Sequence, residues 1–335
     1  MTRILYTLSA LLFLLLFWLF RPDGGVNYSE ISVPEKLPSL PYDIHEVVQH
    51  VQKSEQRAGQ LKPDNHARII WNDTHKEEKA PCSIVYIHGF TASFGEGAPL
   101  HAKTADALGC HLYVPRLHAH GLVTEQPLMD MHPDSLLADV AHALAIGDLL
   151  GDKVVVVGTS MGGMLTLHLA SSYPESVDYL VLLAPLVEFA QRESFLFDKS
   201  WGQRLMKLLL GGSYVESDPQ SDDHGRYWYQ SFRIESLHVL KTLKVNLLQD
   251  EIYGNITQPT FAGYYYRDEE HQDELVSVKA IESIESKLAT LPEKRQFIAF
   301  PEVEDHVIGS SYRTDAHQQV TDSVITFLKR HMQEP

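Results

Sequence analysis

The hydrophobic positions of this chain form short continuous runs that alternate with longer amphipathic segments. Runs such as SIVYI, VVVV and LVLL are rich in β-branched and aliphatic residues, which favour buried strands. Segments between them, such as SLLADVAHALAIGDLLG, have the apolar spacing of helices. Strands that alternate with helices indicate a parallel sheet with helices on both faces. The pattern therefore predicts a doubly wound, mostly parallel α/β fold.

This alternation is interrupted over residues 186–258, which are helical in pattern and rich in aromatic residues. It resumes with the strand TFAGYYY, a helix, the strand QFIAF and a last helix from about Asp315 to His331. The interruption is therefore expected between the sixth and seventh strands of the sheet.

The amino terminus has a different pattern from the rest of the chain. Ile4 to Phe20 is a run of 17 uncharged residues between Arg3 and Arg21. This length is at the lower limit for a transmembrane helix, and no small-residue cleavage site follows it. We interpret residues 1–21 as an uncleaved signal anchor, with a cleaved signal peptide as the alternative. The charges that flank the run weakly favour a cytosolic amino terminus and an exported domain.

The residues after this run divide into a linker and a domain. Residues 22–41 contain four prolines and two glycines, a composition typical of a linker. The domain is then expected over residues 42–335, which is long enough for a sizeable core.

Composition excludes several classes of function. The chain has 335 residues and a formal net charge of −16, so it should repel the phosphate backbone of nucleic acids. With 2 cysteines it is neither a disulfide-rich scaffold nor a protein with a Cys-based zinc site. His118 and His120 form an H-x-H pair without further ligands, which is poor support for a metal site. We expect neither a metal nor an organic cofactor.

Chemically useful residues follow three of the predicted strands. In a parallel sheet, reactive groups gather at the carboxyl ends of the strands. Ser160 follows VVVV between Gly158 and Gly162, the acidic stretch RDEEHQDELV follows TFAGYYY, and His306 follows QFIAF. A serine hydroxyl becomes a nucleophile when a histidine takes its proton and a carboxylate orients that histidine.

These motifs together resemble the α/β-hydrolase family, specifically its serine esterases and its monoacylglycerol-lipase or lysophospholipase-like members. The resemblance covers about residues 64–332. Gly158-x-Ser160-x-Gly162 matches the nucleophile elbow of the family, and His88-Gly89-Phe90 matches its oxyanion loop. Arg116 to Gly121 resembles the family segment that ends in H-G, and Asp305-His306-Val307 resembles its catalytic-histidine loop. The resemblance implies that Ser160 is the nucleophile and His306 the base. It also implies an oxyanion hole formed by the backbone N–H groups of Phe90 and Met161.

The acid of the triad has two candidates in the stretch after TFAGYYY. In the family the acid precedes a short apolar pair, a polar residue and a helix. Asp273, followed by Glu274, Leu275 and Val276, fits this pattern, whereas Asp268 does not. We therefore predict Asp273 as the acid, with Asp268 as the alternative.

The resemblance also implies that residues 186–258 form a cap over the active site. Its substrate-binding residues are unknown from the sequence. Six apolar residues of the cap could line an acyl pocket, face a lipid surface or pack the cap onto the core: Phe195, Phe197, Trp201, Leu205, Leu208 and Leu209.

The strand order of the family implies that the two cysteines lie close together. Cys82 and Cys110 each directly precede a strand, and in the family these two strands are parallel neighbours. A Cys82–Cys110 disulfide is therefore predicted, which suits an exported domain. Two buried free thiols are the alternative.

Together, these features predict a membrane-anchored serine hydrolase that cleaves carboxylic esters through an acyl-enzyme on Ser160. Its expected substrates are small or lipid-like acyl esters, such as a lysophospholipid or a monoacylglycerol. A thioesterase or acyltransferase with the same triad, and a non-catalytic binding protein, are the alternatives.

Overall fold

The computed structural model describes residue 9 and residues 12–18, 31–198, 200–217 and 222–333. The strands are β1 (Arg68–Ile70), β2 (Ala80–Ile87), β3 (His111–Val114), β4 (Gly151–Thr159), β5 (Tyr179–Leu183), β6 (Tyr214–Glu216), β7 (Ser231–Arg233), β8 (Thr260–Tyr264) and β9 (Arg295–Ala299). Seven of them form one sheet in the order β1-β3-β2-β4-β5-β8-β9, and β6 pairs with β7 in a separate antiparallel ribbon.

The central sheet is parallel except at its edge, where β1 runs antiparallel to β3. The valine run lies in β4, between β2 and β5, and is buried on both faces. Because side chains alternate along a strand, Val154 and Val156 belong to the core on one face, and Val155 and Val157 to the core on the other. This confirms the mostly parallel, doubly covered sheet.

Helices cover both faces of the sheet. Their bounds are α1 (Val47–Arg57), α2 (Leu100–Leu108), α3 (Pro133–Leu150), α4 (Met161–Ser172), α5 (Ser200–Leu210), α6 (Asp222–Tyr227), α7 (Glu235–Leu247), α8 (Asp250–Tyr253), α9 (Val278–Glu285) and α10 (His317–Met332). The core that includes Val154 takes residues from α1, α3, α4, α7 and α9. The core that includes Val155 takes residues from α2 and α10.

The insertion over residues 186–258 differs from the prediction in two ways. It follows β5, the fifth strand of the central sheet, and precedes β8, so it does not lie between the sixth and seventh strands. It therefore separates the fifth and sixth strands of the central sheet in chain order. The insertion also contains the β6–β7 ribbon, whose three-residue strands are too short to show a period in the sequence.

The predicted signal anchor lies mostly outside the described residues. Residues 12–18 are helical and exposed. No helix within the described part of the chain is long and apolar enough to cross a membrane. Of the expected linker, residues 31–41 are described, and Ile31, Leu37 and Leu40 pack against the core of the domain.

The two cysteines form a disulfide, as predicted. Cys82 lies in β2, and Cys110 directly precedes β3. Ser83 pairs with His111 in the parallel ladder, so the preceding residues lie opposite each other with their Cα atoms 4.6 Å apart. The bridge therefore joins the start of two neighbouring strands across the connection that contains α2.

Candidate active site

Ser160 occupies the sharp turn between β4 and α4. Its φ is 55° and its ψ is −117°, which is unusual for a residue with a side chain and costs about 1–3 kcal/mol. The turn is held by the Ser160 N–H, which donates to the carbonyl of Leu183. The Ser160 carbonyl accepts from the N–H groups of Met164 and Leu186. Three hydrogen bonds thus hold the backbone of the predicted nucleophile.

The glycines on either side of Ser160 allow this turn to pack tightly. A Cβ at Gly162 would lie 2.0 Å from the carbonyl oxygen of Ile87, and a Cβ at Gly158 would lie 2.4 Å from the carbonyl oxygen of Gly162. Both distances are far below van der Waals contact. The G-x-S-x-G pattern is therefore a packing requirement at this position.

The structure brings His306 and Asp273 together. His306 lies in the loop after β9, and its Nδ1 is 2.6 Å from Oδ2 of Asp273, which follows β8. The other carboxylate oxygen of Asp273 accepts from the N–H groups of Leu275 and Val276. The side chain of Asp273 is fully buried and that of His306 is 11% exposed. The imidazole therefore has a fixed partner that selects its tautomer.

The alternative acid lies elsewhere. Asp268 is half exposed, and its carboxylate binds Nδ1 of His271 and the N–H groups of Glu270 and His271. Its partners all belong to its own loop, so the hydrogen bond to His306 belongs to Asp273.

His306 has an unusual titration environment. Burial favours its neutral form, but the carboxylates of Asp273, Asp305 and Glu96 outweigh burial and raise the pKa of His306 above the usual 6.5. A histidine in such surroundings accepts a proton readily, as a general base must.

The histidine loop is also tied to the cap. Arg313 donates to both carboxylate oxygens of Asp305, the neighbour of His306, and its Nη1 lies 2.8 Å from Nε2 of His224 in α6. Lys62, in the segment between α1 and β1, donates to the carbonyls of Gly225 and Trp228 in the cap. These contacts fix one end of the cap relative to the histidine.

The predicted oxyanion hole has two available donors. Phe90 follows β2 and Met161 is the first residue of α4. Neither backbone N–H donates a hydrogen bond to another described residue. Met161 also lies at the amino terminus of a helix, where the peptide dipoles favour a negative charge.

Ser160 and His306 open onto a common cavity of about 710 Å³ between the sheet and the cap. Its walls are mostly apolar. The apolar lining residues are Phe90, Leu186, Phe189, Phe197, Met206, Leu210, Val215, Trp228, Tyr229, Phe232, Leu237, Leu240, Leu275, Val276 and Val307.

Of the six cap residues named from the sequence, Phe197 lines this cavity. Phe195, Leu208 and Leu209 are exposed, and Trp201 and Leu205 are half-buried away from it. The difference arises because α5 turns Met206 and Leu210, which are four residues apart, towards the cavity. Residues one and two positions away then point outward.

Glu96 is a residue of the site that sequence reasoning missed. It lines the cavity and is 2% exposed. The available signal was the G-E-G triplet four residues after the HGF motif, because a glutamate between glycines in an apolar loop is unusual.

The side chains of the H-x-H pair contact backbone carbonyl groups. Nε2 of His118 lies 2.9 Å from the carbonyl oxygen of Asp130, and Nδ1 of His120 lies 2.7 Å from the carbonyl oxygen of His118. The described part of the chain holds no group of three or more His, Cys, Asp or Glu side chains that could bind a metal.

Two known lipases are similar in sequence to part of this chain. Over 108 residues the chain is 34% identical to Lipase LipV of Mycobacterium tuberculosis, a match that covers 32% of this chain and 38% of that protein. Over 98 residues it is 33% identical to the thermostable monoacylglycerol lipase of a Bacillus species, covering 29% and 38% respectively. The chain thus matches about two fifths of the length of each relative.

Solved structures extend the likeness of fold to most of the chain. A structure described under LipS and LipT, two metagenome-derived lipolytic enzymes, superposes with a TM-score of 0.65 at 16% identity, covering 81% of this chain and 100% of that chain. A family model described as alpha/beta hydrolase fold matches residues 83–296, which is more than half of the sequence. This protein therefore belongs to the alpha/beta hydrolase fold family.

Proposed function

We propose that this protein hydrolyses carboxylic esters through an acyl-enzyme on Ser160, with His306 as the base and Asp273 as the acid. The observation that carries the proposal is that a strained serine, a histidine paired with a buried carboxylate, and Phe90 line one cavity, with Met161 directly after the serine. Ser160 Oγ attacks the acyl carbon while Nε2 of His306 takes its proton. The N–H groups of Phe90 and Met161 stabilise the oxyanion. His306 then protonates the leaving alcohol, and water completes the cycle.

The substrate is proposed to be a lipid-like ester with an apolar acyl chain. The cavity offers an apolar wall, and each methylene buried there contributes about 0.8 kcal/mol. Two relatives named as lipases support this substrate class. Thioesters and alcohol acceptors would reach the same serine, so both are included in the test below.

Residues 1–21 are proposed to anchor the protein in a membrane, with the domain on the exported side. The uncharged run from Ile4 to Phe20 and its flanking arginines support the anchor. The Cys82–Cys110 disulfide supports an oxidising compartment. An anchor would keep the cavity near esters that are dissolved in the bilayer.

Labelling with a fluorescent fluorophosphonate tests the nucleophile, because this probe forms a bond with an activated serine. The detergent-solubilised wild type should be labelled, and Ser160→Ala should not. Ser217→Ala is the matched control, since Ser217 lines the same cavity but donates its hydroxyl to the carbonyl of Gln230. It should be labelled like the wild type.

Products from esters, thioesters and esters with added alcohol then assign the reaction. Faster release of acid from esters than from thioesters, without transfer to alcohol, supports the proposed hydrolase. Label that persists in Ser160→Ala would reject Ser160 as the nucleophile. A folded wild type that takes no label would reject the hydrolase and favour a binding protein.

A further inference from the structure

Glu96 is a buried carboxylate at the catalytic cavity that the proposed triad does not use. Among the described residues that line the cavity, it is the one acidic side chain. It lies in the short 3-10 helix Phe94–Gly97, which follows the oxyanion loop. Burying a carboxylate is costly unless it is well hydrogen-bonded, so its contacts indicate what it does.

One oxygen of Glu96 connects the two sides of the predicted oxyanion hole. Oε2 accepts the Gly89 N–H at 2.7 Å and lies 3.2 Å from the donating hydroxyl of Tyr86. The Tyr86 hydroxyl is in turn 2.8 Å from Oγ1 of Thr159. Gly89 directly precedes Phe90, and Thr159 directly precedes Ser160. The carboxylate therefore fixes the residue before one oxyanion donor and, through Tyr86, the residue before the nucleophile.

The glycines beside Glu96 let its neighbours close around it. A Cβ at Gly95 would lie 2.2 Å from the ring of Tyr227 in the cap. A Cβ at Gly97 would lie 2.4 Å from His101 and 2.6 Å from Tyr86 in the core. The G-E-G triplet thus lets the cap and the core enclose this carboxylate.

The ionisable groups around Glu96 come from three elements. Tyr86 lies in β2, His101 packs on Tyr86 from α2, and His306 acts on Glu96 from the histidine loop. Burial raises the pKa of Glu96 to about 7, although the Gly89 N–H and the charge of His306 favour the ionised carboxylate. In return, the charge of Glu96 raises the pKa of His306.

We infer that Glu96 is a positioning residue of this active site: it holds the loop that presents the Phe90 N–H, and its charge stabilises the imidazolium of His306. The inference rests on the proposed ester hydrolase function. Glu96 acts on Gly89 and His306 rather than on the substrate. Losing it should therefore lower kcat more than it changes KM.

Two substitutions separate the hydrogen bond from the charge. Glu96→Ala removes both, and kcat is expected to fall about 10- to 100-fold with KM changed less than about threefold, because the oxyanion donor is displaced. Glu96→Gln keeps an oxygen that can accept the Gly89 N–H. We expect its maximal kcat within about threefold of the wild type, with the acidic limb of kcat/KM moved to lower pH.

Glu304→Gln is the matched control for the change of charge. Glu304 is two residues from His306, but its side chain is 61% exposed, pairs with Arg267 and is screened by solvent. The acidic limb of the kcat/KM pH profile of Glu304→Gln should lie at the same pH as that of the wild type. Thermal unfolding of every variant identifies any loss of folded protein.

The outcomes distinguish this inference from the proposed function. An active wild type, an inactive Ser160→Ala and an unchanged acidic limb in Glu96→Gln would overturn the role of Glu96 and leave the hydrolase intact. Wild-type kcat in Glu96→Ala would do the same. Activity that persists in Ser160→Ala would instead reject the hydrolase itself. If Glu96→Ala does not fold, the position of the acidic limb in the pH profile of Glu96→Gln is the test of the inference.

Discussion

Among the residues of the site, Asp273 has the most clearly defined task. Its carboxylate has two acceptors, and one of them is occupied by the N–H groups of Leu275 and Val276. The other can therefore face Nδ1 of His306 and keep the proton there. Nε2 is then free to accept the proton of Ser160.

We expect Asp273→Asn to reduce kcat about 10³- to 10⁴-fold with little loss of stability. The amide can turn its NH₂ towards Nδ1, which selects the wrong tautomer of His306. Asp268→Asn is the matched control, because Asp268 contacts its own loop only among the described residues. Its kcat should stay within about twofold. Steady-state kinetics on a soluble ester measure both, and a greater loss in Asp268→Asn would reverse the assignment.

The Asp273 carboxylate also influences the pH at which activity rises, because it raises the pKa of His306. The pKa of His306 is raised above 6.5, so its protonated, inactive form persists to a higher pH than in an ordinary histidine. Activity should therefore rise with pH through a pKa above 6.5. Asp273→Asn removes a charge that favours imidazolium, so its residual activity should rise at a lower pH. A pH profile of kcat/KM measures the shift, and an unmoved limb would count against His306 as the base.

Sequence reasoning reached those site residues whose identity depends on local order. Ser160 and His306 were expected because each follows a strand of the alternating pattern, and Asp273 because of the apolar pair after it. Glu96 could not be found in this way. Its burial depends on Tyr86, which is 10 residues away in β2, and on Tyr227 of the cap, which is distant in sequence.

Among the elements, the unit β2–α2–β3 is the one closed by a disulfide within the described residues. The Cys82–Cys110 disulfide closes it across a separation of 28 residues. The closed segment contains the oxyanion loop and Glu96. A cross-link of this span removes conformational entropy from the unfolded chain, which corresponds to about 3–4 kcal/mol.

Replacing both cysteines with alanine should therefore lower the free energy of unfolding by about 3–4 kcal/mol while activity at 25 °C is retained. Guanidinium unfolding of the wild type and the double variant measures the difference. A reducing agent should destabilise the wild type and leave the double variant unchanged. Two free thiols in the mass spectrum of denatured, unreduced protein would contradict the bridge.

The elements of the central sheet were predictable because each buried strand is a continuous apolar run. The cap was less predictable. In α5, Met206 and Leu210 line the cavity and Leu208 and Leu209 do not, although Leu210 is itself half exposed. Gln203, Arg204 and Lys207 give α5 a polar side, but its last three residues are all leucine, so the sequence did not separate lining residues from exposed ones in that turn.

On the scale of the whole molecule, the formal net charge of −16 restricts how a membrane could be bound. An acidic protein is repelled by anionic lipid headgroups, so electrostatic attraction is not the source of binding. We therefore expect the uncharged run at its amino terminus to supply the affinity for a bilayer. Residues 12–18 of that run are exposed, not packed in the core.

The full-length protein should therefore float with phospholipid vesicles in a density gradient, and high salt should not release it. Leu12→Lys/Leu16→Lys should stay at the bottom, because each lysine in a membrane span costs about 2.5–3.5 kcal/mol. Val33→Lys/Leu291→Lys adds the same charge at exposed positions outside the run and should float. Both variants should keep wild-type kcat/KM on a soluble ester, while the first loses activity on a vesicle-bound ester. The two lysines should prevent the run from crossing the membrane. Flotation of Leu12→Lys/Leu16→Lys would therefore show that another surface of the protein binds the membrane.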